Sequence, residues 1–123
     1  MNDRKVVPGD VLVITLPSHF PGGREQEGNR PAIVVGIPKG SVRYPIVVVV
    51  PLTTQAGVWV QKNPELYQRI PKGEGGIPKD SIALIDQVRA VDIHRVKSFL
   101  GSLKELTYYS IRDSLLKLFQ GLL

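Results

Sequence analysis

Short apolar runs rich in β-branched residues, separated by glycine and proline, restrict the fold of this chain more than any other feature. The first run covers residues 11–16 and follows the turn residues Pro8, Gly9 and Asp10. A second strand is predicted over residues 32–37. A third is predicted over residues 45–53, where continuous valine and isoleucine indicate burial on both faces. The first half of the chain therefore predicts a β-sheet.

The second half of the chain predicts more short strands and then a change of period. The strands are expected around 58–60 and 66–67, over 81–91 as two strands or one bent strand, and over 96–100. Residues 17–29 are expected to form a long polar loop. Many short strands followed by one helix are typical of a small, partly open barrel, and the chain is expected to form one domain over residues 1–123.

The C-terminal segment predicts an amphipathic helix that packs on the sheet. Ser102 is followed three residues later by Glu105, which is the pattern of a capping box. After it, apolar residues recur at helical spacing: Tyr108, Ile111, Leu115, Leu118, Phe119 and Leu122.

Composition limits the environment and the partners of the chain. No apolar run approaches the roughly 20 residues that span a bilayer, and no apolar segment of the signal-peptide kind follows Met1–Lys5, so a cytoplasmic protein without a membrane association is expected. The absence of cysteine excludes disulfides and thiolate chemistry. The net charge of +5 favours a polyanionic partner, either nucleic acid or an acidic protein.

Several common chemistries lack their residues in this sequence. His19 and His94 stand far apart without partners at metal-ligand spacing, so no metal site is expected. The phosphate-binding loop, the dinucleotide fingerprint and the Gly-x-Ser-x-Gly motif of many hydrolases are all missing. We therefore expect a reaction that needs neither a metal nor another cofactor.

Two segments contain the remaining side chains that could take part in a reaction. Residues 22–31, GGREQEGNRP, combine glycines with side chains that can move a proton, read a base edge or, as Arg30 can, fork onto a phosphate. Residues 51–55, PLTTQ, end a buried strand with hydroxyls that can donate to a phosphate oxygen. Each segment alone also fits a structural role, as a solvated hairpin loop and as a strand end. Arg30 stands out because it begins an apolar strand.

Together these segments resemble the MazF/PemK family of toxin endoribonucleases. The matching segments occur in the same order: 7–11, 23–31, 32–35, 51–54, and 80–89 with Gln87 and Arg89. Two stretches depart from the family pattern, since residues 18–21 lengthen the first loop and residues 58–76 are long and rich in proline and glycine. The resemblance implies a mainly β fold with a C-terminal helix, specifically the small SH3-like β-barrel of the MazF/CcdB toxin type.

The resemblance also implies an activity and its central residues. The activity is sequence-specific, metal-independent cleavage of single-stranded RNA that leaves 2′,3′-cyclic phosphate and 5′-hydroxyl ends. Arg30 and Thr53 would form the central pair, with Glu25 contributing from the loop. Arg30 is suited to act as a fixed cation at the phosphate, and Thr53 is suited to donate a hydrogen bond to it. Glu25 is suited to act as a general base. His19 is chemically able to act as the base but lies outside the matching motif.

Beyond the central residues, the sequence predicts further RNA contacts and binding partners. The RNA contacts predicted beside the central residues are Arg24, Gln26, Thr54, Gln55 and Gln87. Trp59 and the four tyrosines fit either base stacking or packing. The expected partners are single-stranded RNA, an acidic cognate antitoxin and a second copy of the chain. Two alternatives stay open, a gyrase-poisoning toxin of the same fold and a non-catalytic RNA-binding barrel, although the presence of Glu25, Arg30 and Thr53 favours the nuclease.

Overall fold

The strands and helices follow the sequence pattern closely in the first half of the chain and less closely in the second. The computed structural model describes residues 5–16 and 28–123. The elements in these residues are β1 (Asp10–Leu16), β2 (Gly28–Gly36), β3 (Ile46–Thr53), α1 (Val58–Lys62), β4 (Tyr67–Ile70), β5 (Ser81–Leu84), β6 (Arg89–Asp92), β7 (Val96–Ser102) and α2 (Glu105–Phe119).

All strand pairings in the described residues are antiparallel, in the order β4-β5-β3-β2-β1-β7, and β6 also pairs with β3. β3 is central because β2 pairs with one edge, while β5 and β6 share the other. β2 begins earlier than predicted, at Gly28, because its pairing with β1 continues to Leu16. Arg30 therefore lies within a paired strand rather than in a loop.

The prediction of a closed SH3-like barrel is not confirmed. Among the described residues, no pairing joins β4 to β7, so the sheet is open. The turn Glu74–Gly76, which follows β4, packs against β7 instead. A Cβ atom at Gly101 would lie 2.8 Å from the carbonyl carbon of Gly75, so the two segments touch backbone to backbone. The described residues form a mainly β structure, with one antiparallel sheet and a C-terminal helix.

Side-chain alternation along the strands builds an apolar core on each face of the sheet. The core under α2 includes Val11, Ile33, Val50, Leu52, Ile111 and Leu115. The opposite core includes Leu12, Ile14, Ala32, Val34, Val47 and Val49. Successive side chains of β3 pack alternately into the two cores. This confirms the prediction that its continuous valine content reflects burial on both faces.

The prediction of a strand at residues 58–60 is wrong, because these residues begin α1. Val60 is buried with Ile82 and Leu84, and the Trp59 ring packs edge-on against Tyr67 at a centroid distance of 4.9 Å. These tertiary contacts outweigh the local β-propensity of the Val-Trp-Val sequence.

The C-terminal helix forms as predicted, but two details of its prediction are wrong. Ser102 does not cap α2: its hydroxyl donates to Oδ1 of the buried Asp10 at 2.7 Å, and the helix begins after Lys104 without a side-chain cap. The predicted apolar stripe is only partly buried, since Phe119 and Leu122 are 69% and 67% exposed. No helix in residues 5–16 and 28–123 is both long and apolar enough to cross a membrane.

Candidate functional site

Arg30 is held on the sheet by the pairing of two strands. It lies opposite Ile14 in the β1–β2 ladder, and its side chain is half-buried. One residue earlier, Asn29 lies opposite Thr15 and accepts a hydrogen bond of 2.6 Å from the Thr15 hydroxyl. This contact and the strand pairing hold the start of β2 against β1 and so position the backbone of Arg30.

Thr53 ends β3 as a buried polar residue with 5% exposure. It lies opposite Ile82 in the β3–β5 ladder. The backbone N–H of Gln55 donates to Thr53 Oγ1 at 3.2 Å, which leaves the hydroxyl proton available for donation to a ligand. Thr53 is therefore a positioned hydroxyl at the end of a rigid strand.

The strand register brings Arg30 and Thr53 to one side of the sheet. The last pair of the β2–β3 ladder is Ala32 with Pro51, so the same register continued by two residues sets Arg30 across from Thr53. Because side chains alternate along strands, both belong to the face that carries the opposite core. The central pair implied by the sequence thus shares one face and one end of two adjoining strands.

A cleft of about 410 Å³ opens beside Thr53. The described residues that line it are Thr53, Gln55, Trp59, Tyr67, Leu84, Asp86 and Gln87. The cleft therefore brings together three predicted site residues, one catalytic and two RNA-contacting. Arg30 does not belong to this described lining and lies on the neighbouring strand.

One hydrogen bond joins two residues that line this cleft, Tyr67 and Asp86. The Tyr67 hydroxyl donates to Asp86 Oδ2 at 2.6 Å. That hydrogen bond, together with burial and the negative charge of Asp86, raises the pKa of Tyr67 to about 12. The phenol therefore stays protonated and keeps its donor role at ordinary pH.

Thr54 lies in a separate, neighbouring cleft of about 290 Å³. Arg69 also lines that cleft, and it pairs with Ile82, which in turn pairs with Thr53. Arg69 thus stands in the same transverse row of the sheet as Thr53, two strands away. Arg69 and Asp86 are not part of any sequence motif, because only the β4–β5 pairing brings them to the site.

The remaining predicted residues of the first loop lie outside the described residues. These are Glu25, Arg24 and Gln26, together with His19. In the described part of the chain, no group of three or more His, Asp and Glu side chains is arranged to hold a metal ion.

Comparison with known proteins gives the relatives of this chain. The family model for the PemK-like, MazF-like toxin of type II toxin–antitoxin systems matches residues 7–119. A curated relative, Endoribonuclease MazF of Staphylococcus epidermidis, is 32% identical over 93 residues, which are 76% of this chain and 75% of that protein.

Solved structures share the fold. The crystal structure of MazF from Deinococcus radiodurans has a TM-score of 0.71 at 20% identity, covering 96% of this chain and 99% of its own. A mycobacterial endoribonuclease in complex with its cognate antitoxin has a TM-score of 0.63 at 20% identity, covering 100% and 98%. With the family model over most of its length and a close curated relative, this chain belongs to the PemK/MazF family of type II toxin–antitoxin endoribonucleases.

Proposed function

We propose that residues 1–123 form one toxin domain that cleaves single-stranded messenger RNA in the cytoplasm without a metal ion. The observation that carries this proposal is the placement of Arg30 and Thr53 on one face of two adjoining strand ends. Beside Thr53 lies a cleft with amide and aromatic side chains, which suit the bases of an unpaired strand. The curated relative from Staphylococcus epidermidis is named an endoribonuclease.

The proposed reaction uses the 2′-hydroxyl of the RNA as its nucleophile. The 2′-oxygen bonds to the adjacent phosphorus, the bond from phosphorus to the 5′-oxygen breaks, and a 2′,3′-cyclic phosphate and a 5′-hydroxyl result. The enzyme must assist removal of the 2′-proton and stabilise the charge that develops on the non-bridging oxygens. The leaving 5′-oxygen must take up a proton, which balances the one removed from the 2′-hydroxyl. None of these steps requires a metal ion.

Arg30 and Thr53 stabilise the charge that develops on the phosphate. A guanidinium presents several N–H donors in a planar fork that matches two phosphate oxygens. The β1–β2 ladder holds the backbone of Arg30, and the β3–β5 pair holds that of Thr53, so both side chains extend from fixed positions on the sheet. Preorganised donors of this kind are often the largest single contribution to catalysis.

Glu25 removes the 2′-proton in the proposed mechanism. A guanidinium holds its proton at every ordinary pH, so Arg30 is a poor base. Glu25 precedes Arg30 by five residues in the sequence and belongs to the same family-like motif. A carboxylate within hydrogen-bond reach of the 2′-hydroxyl is a suitable general base.

The RNA-binding residues divide into two groups. Gln55 and Gln87 line the cleft beside Thr53, and Thr54 lines its neighbour, so these three contact nucleotides next to the scissile bond. Arg24 and Gln26, which flank Glu25 in the sequence, form the second group of proposed RNA contacts.

Two protein partners complete the proposal. An acidic antitoxin binds the basic toxin, and the mycobacterial relative is described in complex with its cognate antitoxin. A second copy of the chain forms a homodimer through the outer face of α2. Large apolar side chains are exposed along that helix and just after it: Leu106, Tyr109, Leu116, Phe119 and Leu122.

The test is incubation of the purified chain with a mixed-sequence RNA in excess EDTA, followed by analysis of the product ends. We expect cleavage with cyclic phosphate and 5′-hydroxyl ends. Arg30→Lys, purified in the same way, controls for a contaminating nuclease, and its rate should fall by about 10²-fold or more because a point charge does not reproduce the fork. Activity that disappears with EDTA and returns with Mg²⁺ contradicts the mechanism. RNA that is bound but never cut supports a non-catalytic barrel.

A further inference from the structure

The cleft beside Thr53 contains one charged side chain among its described lining residues, the carboxylate of Asp86. Phosphates repel a carboxylate, so a backbone-binding cleft should not contain one without another reason. A carboxylate is, however, a suitable acceptor for the N–H groups of a nucleobase, as when aspartate accepts from the N4 amino group of cytosine. Asp86 is therefore better suited to contact a base than a phosphate.

Tyr67 fixes which oxygen of Asp86 is used. The Tyr67 hydroxyl donates to Oδ2, and no described residue is found to donate a side-chain hydrogen bond to Oδ1. The phenol is itself fixed, because Tyr67 lies opposite Leu84 in the β4–β5 ladder and packs against the edge of Trp59. Oδ1 is thus left to accept a hydrogen bond from a ligand.

Trp59 supplies a flat apolar wall to the same cleft. Its position depends on Gly57, since a Cβ atom there would lie 2.6 Å from the indole Nε1. Aromatic rings stack on any base, so Trp59 gives affinity without sequence preference. The preference must then come from a polar group in the cleft.

We propose that this cleft binds the base next to the scissile phosphate, and that Asp86 selects bases with an exocyclic amino group over uracil. The inference rests on the proposed RNA cleavage at Arg30 and Thr53. Cytosine presents an amino group at C4, where uracil presents the O4 carbonyl oxygen, and adenine presents an amino group at C6. The amino group donates to Asp86 Oδ1, whereas the O4 oxygen of uracil and the carboxylate repel each other. Asp86 is a specificity-determining residue and takes no part in the chemistry.

Asp86→Asn should reverse the preference because Tyr67 orients the new amide. The amide oxygen accepts from the Tyr67 hydroxyl, as Oδ2 does now, and the amide NH₂ group then faces the cleft. A donor in that position pairs with O4 of uracil and opposes the amino group of cytosine. Cytosine and uracil have rings of the same size, so comparing them isolates the polar contact from stacking.

Binding can be measured without cleavage because Trp59 is the one tryptophan of the chain. The probes are C5, A5 and U5 pentanucleotides with 2′-fluoro sugars, which lack the nucleophile and stay intact. In the wild type, C5 should quench the fluorescence and bind about tenfold tighter than U5, the discrimination expected of one charge-assisted hydrogen bond. In Asp86→Asn, U5 should bind tighter than C5.

Asp92→Asn is the matched control, because it removes the same charge on an exposed residue outside the cleft and keeps an oxygen to cap the turn after β6. Its preference should equal that of the wild type. Tyr67→Phe keeps Asp86 but removes the hydrogen bond that orients it, so the ratio of the affinities for C5 and U5 should decrease. Equal binding of C5 and U5 by the wild type, or an unchanged order in Asp86→Asn, overturns the proposal.

The cut sites of a mixed-sequence RNA give the second measurement. The base next to the cut should change from amino-bearing bases in the wild type to uracil in Asp86→Asn. A wild type that binds with the expected preference but cuts no RNA refutes the proposed function and leaves the base selection standing. A wild type that cuts RNA at sites unaffected by Asp86→Asn refutes the base selection alone.

Discussion

Thr53 is the one residue that both lines the cleft and is buried and polar in the described part of the chain. Burial keeps water from competing for its hydroxyl, and the N–H of Gln55 holds its oxygen in place. A hydroxyl held in this way is a preorganised donor, which is worth more to a developing charge than a mobile one.

Replacing Thr53 by valine should separate catalysis from folding. Valine keeps the shape and the strand propensity, so the fold should persist at a cost of about 1 kcal/mol for the lost contact with Gln55. The cleavage rate should fall by roughly 10- to 100-fold or more, because one donor to the phosphate is gone. Single-turnover cleavage and thermal unfolding measure the two effects. Thr53→Ser keeps the hydroxyl and should retain most of the rate, whereas a valine variant at full rate would make Thr53 a structural residue only.

Residue motifs predicted part of the site, and strand pairing supplied the rest. Thr53, Gln55 and Gln87 were selected by sequence and meet in one cleft. Asp86 was not predicted, and Tyr67 was considered only for stacking or packing, because an exposed carboxylate and a tyrosine 19 residues apart show no pattern along the chain. Their contact exists because β4 and β5 pair, and pairing partners cannot be read from one sequence.

At the scale of elements, alternation and turn residues predicted the strands well, whereas local helix signals were less reliable. The three long strands of the first half and the two short strands near 81–91 are confirmed. The Val-Trp-Val segment was assigned to a strand from propensity, but its side chains pack onto β5 as a helix. The capping box failed for a similar reason, because Ser102 has a better partner in Asp10 from the other end of the chain.

Ser102→Ala tests whether that residue joins β7 to β1 or caps α2. Asp10 is 1% exposed, and it accepts from the Ser102 hydroxyl and from the backbone N–H of Val7. Loss of a donor to a buried carboxylate should lower the free energy of unfolding by about 1–3 kcal/mol. Glu105→Ala, which would also break a capping box, should change it by less than about 0.5 kcal/mol. Urea unfolding measures the free energy of unfolding of both variants. Equal decreases would indicate that Ser102 and Glu105 form a capping box after all.

At the scale of the whole molecule, one helix connects the interior to the surface. The inner side of α2 buries Ile111 and Leu115 against the sheet, while its outer side leaves Leu106 82% and Leu116 52% exposed. Single exposed apolar residues are ordinary, but several large ones along one helix and just after it indicate an interaction surface. The net charge of +5 lies on a chain whose proposed ligands, RNA and an acidic antitoxin, are both anionic. An apolar surface is thus better suited to a second copy of the chain than to either anion.

Leu116→Glu tests the proposed homodimer through this stripe. A charge at the centre of an apolar contact would be buried without a partner, so the dimer should dissociate. The fold should survive, because Leu116 is half exposed and contributes to neither core. Light scattering should give a dimer mass for the wild type and a monomer mass for the variant, with unchanged far-ultraviolet circular dichroism. Gln61→Glu adds the same charge on the exposed side of α1 and should remain dimeric. A Leu116→Glu variant that keeps the dimer mass would place the contact on another surface of the chain.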